Sequence, residues 1–173
     1  MGLIHLYIGD GKGKTSAAIG QGIRAAGNNM KVLIARFLKN NHSGELQILR
    51  DISNIALVPN DKDFGFIFNL NEDQKLQAKT YYTNMFNNAA VIASAGLFDM
   101  LILDEIIDAC NAGMVELDRL IDFLKMKPDN LEVLLTGRNP HSSILDLADY
   151  VSDIRNIKHP FDNGVAARKG IEY

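Results

Sequence analysis

The chain has 173 residues, of which 47% are hydrophobic and 23% charged, with a net charge of −3 and one cysteine, Cys110. This length suits a single domain over residues 1–173, and the composition excludes a disordered or collagen-like chain. A single cysteine excludes an internal disulfide and a multi-thiolate metal site. The acidic net charge argues against a nucleic-acid binder. The longest weakly interrupted apolar stretch, 89–98, is too short to cross a membrane.

The first forty residues predict a strand, a glycine-rich loop, a helix and a second strand. Leu3–Ile8 is mostly apolar, residues 9–15 form the loop, Ser16–Ala26 favour a helix, and 31–38 return as a strand rich in Val, Leu and Ile. No basic region precedes the first strand, so no secretory signal is predicted and a cytoplasmic location is expected.

Charge is unevenly distributed along the chain. Residues 1–40 contain six basic residues against Asp10 alone, a charge of +5, whereas the remaining 133 residues carry −8. A basic segment in an acidic protein suits a small polyanion bound at one place. A solvated run of charge would give the same count.

Strands and helices continue to alternate along the rest of the chain. The predicted elements are a polar loop over 40–44, a short helix over 45–51, an apolar segment over 55–58, a loop over 61–69, a long helix between Asn71 and Gly96, strands over 100–103 and 131–135, helices over 116–127 and 142–148, and a last strand over 151–157. Asn71 and Gln74 have capping-box spacing, and the long helix has an apolar face of Leu76, Met85, Phe86 and Ala89. Continuous apolar strands between helices predict an α/β fold with a doubly wound, mainly parallel sheet and helices on both faces.

The loop after the first strand carries the clearest chemical signal. It reads Gly9-Asp10-Gly11-Lys12-Gly13-Lys14-Thr15. Glycines let backbone N–H groups surround phosphate oxygens, Lys14 can lie between phosphates, and the Thr15 hydroxyl can ligate Mg²⁺. The strict Walker pattern is one residue longer, and a tight turn with surface lysines is the alternative. The strand, loop and helix together favour phosphate binding and a P-loop NTPase-like sheet.

Asp104 and Glu105 follow an apolar strand directly. The carboxyl ends of parallel strands form the binding edge of an open α/β sheet, and carboxylates there can hold Mg²⁺ directly or through water. Taken alone, such an acidic pair is more often a helix-capping feature. The four histidines, at positions 5, 42, 141 and 159, lack metal-ligand spacing, so no zinc site is predicted.

Over nearly its whole length the chain resembles the ATP:corrinoid adenosyltransferases of P-loop type. Four blocks carry the resemblance, and the short glycine-rich loop is itself the family's form. The blocks are Gly9–Thr15 with Ser16-Ala17-Ala18, Arg36-Phe37-Leu38-Lys39, Leu103-Asp104-Glu105, and Thr136-Gly137-Arg138 leading through 144–149 and 158–165 to Gly170-Ile171-Glu172-Tyr173.

The chain departs from the family pattern in two of its segments. Arg36 stands where the second strand of the family usually ends with Gln. The segment Gly65-Phe66-Ile67-Phe68 replaces a Gly-Phe-Thr-Trp stretch, and the chain has no Trp. The aromatic character of the second segment is therefore kept with different residues.

The resemblance implies transfer of the 5′-deoxyadenosyl group of ATP to the Co(I) of a reduced corrinoid, cobalamin or a precursor, with release of triphosphate. Because Co(I) is the nucleophile, no catalytic side chain is expected. The implied ATP-binding residues are Gly9, Asp10, Gly11, Lys12, Gly13, Lys14, Thr15, Ser16 and Arg138. The implied Mg²⁺ ligands are Thr15 and Glu105, supported by Asp104.

Phe66 and Phe68 are the residues expected to face the corrinoid. In the family an apolar, aromatic surface excludes the lower axial ligand of cobalt, which makes Co(II) easier to reduce, because axial ligation is a main determinant of a metal's redox potential. Ordinary core packing of alternating residues is the competing interpretation.

The resemblance further implies a flavoprotein reductant and a homodimer. Two other functions remain open at this point. A P-loop ATPase or small-molecule kinase would use the same loop and acidic pair and would release ADP. A corrinoid carrier or a nucleotide-sensing partner would bind without turnover. The carrier is disfavoured, because the Asp-x-His-x-x-Gly motif of many carriers is absent.

Overall fold

A computed structural model describes residues 1–39 and 43–172. Most of the predicted polar loop over 40–44, including His42, and the terminal Tyr173 lie outside the described residues.

Strands and helices alternate along the described chain. The strands are β1 Ile4–Ile8, β2 Val32–Arg36, β3 Ile55–Leu57, β4 Met100–Asp104, β5 Glu132–Gly137 and β6 Tyr150–Asp153. The α-helices are α1 Lys14–Gly27, α2 Glu45–Arg50, α3 Glu72–Ser94, α4 Ile106–Asn111, α5 Leu117–Met126 and α6 Ser142–Leu145, with short 3₁₀ helices at Ile67–Asn69 and Pro160–Asn163.

The six strands form one sheet in the order β3-β2-β4-β5-β1-β6, and every neighbouring pair is parallel. The predicted doubly wound α/β fold is therefore confirmed. Parallel strands end at the same edge of the sheet, so the loop after β1 lies at the same edge as the ends of β5, β4 and β2. This edge is where open α/β sheets bind ligands.

Helices cover both faces of the sheet. Alternate residues of β2 show the division, since Val32 and Ile34 pack in the cluster that contains α1 residues, whereas Leu33 and Ala35 pack with residues of α3, α4 and α5. The five residues of β4 are all buried, as expected for a central parallel strand. The capping box at the start of α3 is present, with Gln74 N donating to Asn71 Oδ1 over 2.9 Å.

Four details of the sequence interpretation need correction. Helix α1 begins at Lys14 rather than residue 16, since Ala17 N already donates to Gly13 O. Helix α4 was not predicted. Strand β6 spans Tyr150–Asp153 rather than the predicted 151–157, because the chain turns over the glycine-rich loop after Asp153. The residues of β6 are exposed at the edge of the sheet. Leu76 is 66% exposed, because it lies on the solvent side of the first turns of α3.

Candidate active site

The glycine-rich loop packs beneath the segment that follows β6. Gly11 N donates to Ile154 O over 2.8 Å, and a Cβ on Gly11 would lie 2.7 Å from the carbonyl carbon of Arg155. Asp10 accepts from Asn156 N over 3.1 Å, a bond that lowers the pKa of this exposed carboxyl. Gly11 is therefore required by the close approach of another backbone, and Asp10 holds that backbone in place.

Lys14 begins α1 and folds back across the loop, where its Nζ donates to Gly11 O over 2.9 Å. Gly13, just before it, has a φ of +120°, a conformation that only glycine adopts readily. Burial and, secondly, the nearby Arg138 lower the pKa of Lys14. A partly desolvated ammonium beside a second cation would be stabilised by an anion, as a phosphate binder requires.

Asp104 ends β4 and is completely buried. Its Oδ1 accepts from the hydroxyls of Thr15 and Thr136, each over 2.8 Å. Thr136 lies on β5, between β4 and β1 in the sheet, and its hydroxyl also accepts from Glu105 N over 2.8 Å. One threonine hydroxyl therefore holds both the Asp104 carboxylate and the Glu105 backbone.

Lys39, after β2, contacts all three predicted metal ligands. Its Nζ lies 2.6 Å from Thr15 Oγ1, 2.6 Å from Asp104 Oδ2 and 3.3 Å from Glu105 Oε1. The three oxygens therefore converge on one cation position at the foot of the glycine-rich loop.

Glu105 has a left-handed backbone with a φ of +61°, which is uncommon outside glycine. Such strain persists only where the surroundings enforce it, and it is concentrated at functional sites. Burial raises the pKa of Glu105, while Lys39 acts in the opposite direction. A partly buried carboxylate of this kind gains from a cation placed beside it.

Asp108 on α4 links the end of β5 to the site. It accepts from Arg138 N over 3.1 Å, and Arg138 Nη1 lies 3.8 Å from its other oxygen. Burial raises the pKa of Asp108, and the Arg138 charge opposes this shift. Arg138 is thus held near Lys14 at the same edge.

Two predicted ATP-binding residues lie at the periphery of the loop. Lys12 is half exposed, and its Nζ is 3.8 Å from Glu172 near the C-terminus. Ser16 is exposed on α1. Gly9, at the start of the loop, has a φ of +107° and lies against the backbone of Ile154.

Phe66 and Phe68 form an exposed aromatic pair. Their rings stack with centroids 5.3 Å apart, and the residues are 70% and 80% exposed. This exposure excludes core packing as the explanation of their spacing. Their segment begins beside Lys39, because the Asn60 amide donates to Arg36 O and Lys39 O over 3.1 and 2.9 Å.

Comparisons with known proteins identify the family. The family model described as ATP:corrinoid adenosyltransferase BtuR/CobO/CobP matches residues 1–173. The chain belongs to this family. It is 35% identical to the corrinoid adenosyltransferase CobA of Salmonella typhimurium over 99% of this chain and 86% of the relative. It is 33% identical to the corrinoid adenosyltransferase of Escherichia coli, with the same coverage, and 30% identical to that of Pseudomonas aeruginosa, over 99% and 84%.

As an ATP:corrinoid adenosyltransferase, the protein is an enzyme that takes ATP and a corrinoid as substrates. Its described residues include no helix long and apolar enough to cross a membrane. They also contain no group of three or more His, Cys, Asp or Glu residues arranged to hold a metal. The oxygens of Thr15, Asp104 and Glu105 nevertheless fit a divalent cation that takes its remaining ligands from a nucleotide and water, because all three already contact one ammonium.

Sequence reasoning about this adenosyltransferase missed the roles of Lys39, Thr136 and Asp108. Thr136 offered a signal that could have been used, since it follows an apolar strand run just as Asp104 does. Lys39 belongs to a block that carried the family resemblance, but nothing in its local sequence indicates its partners. Asp108 lies on the helix that was not predicted.

Proposed function

We propose that the glycine-rich loop binds the triphosphate of ATP so that C5′ of the ribose faces the cobalt of a reduced corrinoid. The electron pair of Co(I) forms the new cobalt–carbon bond, the C5′–oxygen bond breaks, and its electrons leave with triphosphate. The nucleophile belongs to the substrate, so the protein acts by positioning and by electrostatic stabilisation.

The convergence of Thr15, Asp104 and Glu105 on one cation position at the foot of the glycine-rich loop carries this proposal. Thr15 and Glu105 would hold Mg²⁺, and Asp104 would orient Thr15 through the 2.8 Å hydrogen bond. When bound, Mg²⁺ would supply positive charge to the departing triphosphate. The backbone N–H group of Gly13, the ammonium of Lys14 and the guanidinium of Arg138 are the proposed phosphate donors. Gly11, whose N–H donates to Ile154 O, would shape the loop around the phosphates. The other predicted ATP-binding residues would affect ATP binding without donating to the phosphates directly; they are Gly9, Asp10, Lys12 and Ser16.

Phe66 and Phe68 are proposed to face the corrinoid. Two stacked rings with 70% and 80% exposure form an apolar surface that a soluble protein seldom leaves uncovered without function. An apolar surface against the lower face of the corrinoid would exclude the axial ligand and raise the Co(II)/Co(I) potential.

The deciding experiment is incubation with ATP, Mg²⁺ and chemically reduced cobalamin. The cobalt spectrum should change to that of an alkylcobalamin, and triphosphate should appear in equal amount. ADP with phosphate, or a phosphorylated acceptor, would refute adenosyl transfer in favour of an ATPase or kinase. Binding of both substrates under strong reductant without a cobalt–carbon bond would indicate a carrier.

The proposed function also includes the domain extent, the oligomeric state, the electron donor and the location of the enzyme. We expect one domain over 1–173, a homodimer, a flavoprotein electron donor and a cytoplasmic location. Light scattering of the purified protein tests the dimer. Turnover from Co(II) cobalamin with a reduced flavoprotein, compared with no donor, tests the reductant.

A further inference from the structure

The Lys39 ammonium lies where a divalent cation would be expected. It is within 2.6 Å of both Thr15 Oγ1 and Asp104 Oδ2, and 3.3 Å from Glu105 Oε1. An ammonium donates three hydrogen bonds in a compact geometry, so it can satisfy the same oxygens that a metal ion would ligate. Lys39 and a metal ion therefore compete for one position.

The backbone around Lys39 is held firmly. Leu38 has a φ of +53°, a left-handed conformation that is strained for leucine. The Asn60 amide donates to the carbonyl oxygens of Arg36 and Lys39. The main chain is thus fixed with Lys39 directed at the carboxylates, while its four-carbon side chain can move by rotation alone.

Charged side chains of both signs surround this position. Arg36 is buried, with its Nε 4.0 Å from Asp104 Oδ2 and its Nη2 3.4 Å from Glu45 Oε1. The edge of the sheet brings together four cations and five carboxylates. The cations are Lys14, Arg36, Lys39 and Arg138, and the carboxylates are Asp10, Glu45, Asp104, Glu105 and Asp108. A divalent ion alone would make the net charge of this group positive, whereas a triphosphate that enters with it would make the net charge negative.

We propose that Lys39 occupies the divalent-cation position in the nucleotide-free enzyme and moves to the triphosphate when Mg²⁺ and ATP enter together. Lys39 is then a triphosphate-binding residue that also keeps the metal out until nucleotide arrives. The inference rests on the proposed function for the identity of the nucleotide, but the exclusion of metal by Lys39 can be tested alone.

The test is binding of Mn²⁺, without nucleotide, to three proteins: wild type, Lys39→Met and Lys31→Met. Lys31 is an exposed lysine that precedes β2, so its variant makes the same charge change outside the site. Free Mn²⁺ is followed by its electron paramagnetic resonance signal. We expect Lys39→Met to bind Mn²⁺ at least about tenfold more tightly than the other two, because two cations within a few ångströms repel strongly in a partly buried site.

The second measurement is the affinity for Mg²⁺–ATP, which should fall about tenfold or more in Lys39→Met and stay unchanged in Lys31→Met, because a charged partner of the triphosphate is lost. Lys39→Gln, which keeps hydrogen-bonding capacity, replaces the Met variant if urea unfolding shows that the latter is not folded. Equal Mn²⁺ binding by wild type and a folded Lys39 variant overturns the inference. If Mn²⁺ binding changes as expected but wild type makes no cobalt–carbon bond, only the proposed function fails.

Discussion

Thr136 connects the fold to the site, so removal of its hydroxyl should affect both. The Thr136→Val substitution keeps the side-chain shape but removes the donor to Asp104 Oδ1 and the acceptor for Glu105 N, both at 2.8 Å. Thr136 is completely buried, so water cannot replace the lost bonds. Asp104 keeps the bonds from Thr15 and Lys39, whereas Glu105 N loses its partner.

The loss of unfolding free energy in Thr136→Val follows from these contacts. An unpaired, part-buried N–H costs about 1–3 kcal/mol, and a hydrogen bond to a charged group contributes about 1.5–3 kcal/mol. Because Asp104 retains other donors, we expect the free energy of unfolding to fall by about 3 kcal/mol in Thr136→Val. Thr136→Ser, which keeps the hydroxyl and loses one methyl group, should cost about 1 kcal/mol.

Urea unfolding followed by circular dichroism measures this difference. With a slope of about 2 kcal/mol per molar urea, the midpoint should fall by about 1.5 M in the Val variant and about 0.5 M in the Ser variant. The Val variant should also bind Mg²⁺–ATP more weakly, since Glu105 is no longer held. Equal midpoints for the two variants would refute the assigned role of the hydroxyl.

Four further predictions follow from the site and its surroundings. Lys14→Met should reduce adenosyl transfer about 100-fold or more by loss of a phosphate partner, whereas Lys79→Met, an exposed lysine on α3, should leave the rate unchanged; equal rates would exclude Lys14 from the site. Phe68→Ala should impair turnover from Co(II) with a flavoprotein donor and spare pre-reduced Co(I), measured from the cobalt spectrum; equal loss in both assays contradicts the axial-ligand role. Gly11→Ala should weaken ATP binding and lower the thermal midpoint, because its Cβ would meet the Arg155 backbone at 2.7 Å; calorimetry showing wild-type values would contradict this. Burial raises the pKa of Cys110 to about 12, so its thiol stays neutral at pH 8 and should react with iodoacetamide at least about 100-fold more slowly than in urea; similar rates would contradict its protection.

The order of elements was predictable because apolar runs and caps are local signals. The continuous apolar run of β4 and the Asn71–Gln74 capping box were both recognised and are both present. Helix α4 escaped prediction for a local reason as well. Its N-cap residue, Glu105, has a left-handed backbone and no side-chain capping bond, and Ile106 and Ile107 favour strands. Burial of that helix against the sheet outweighs these preferences.

The exposure of Phe66 and Phe68 could not be read from their spacing. Alternating aromatic residues suit a buried strand and an exposed loop equally well, and the sequence interpretation left both open. In the structure both rings are exposed, and of residues 66–68 only Ile67 packs against the core. Periodicity reports which residues share a face of an element, but only the neighbouring elements decide whether that face is covered.

The sequence alone determined the strand–loop–helix unit at Gly9–Thr15, the α/β alternation and the acidic pair after β4, because each depends on residues close together in the chain. The tertiary structure decided which side chains meet. Lys39 reaches Thr15 and Asp104 across separations of 24 and 65 residues, and Thr136 reaches Asp104 across 32. These contacts follow from the sheet order, which places β4 between β2 and β5. Strand order depends on how whole faces pack together, and no local pattern in the chain encodes it.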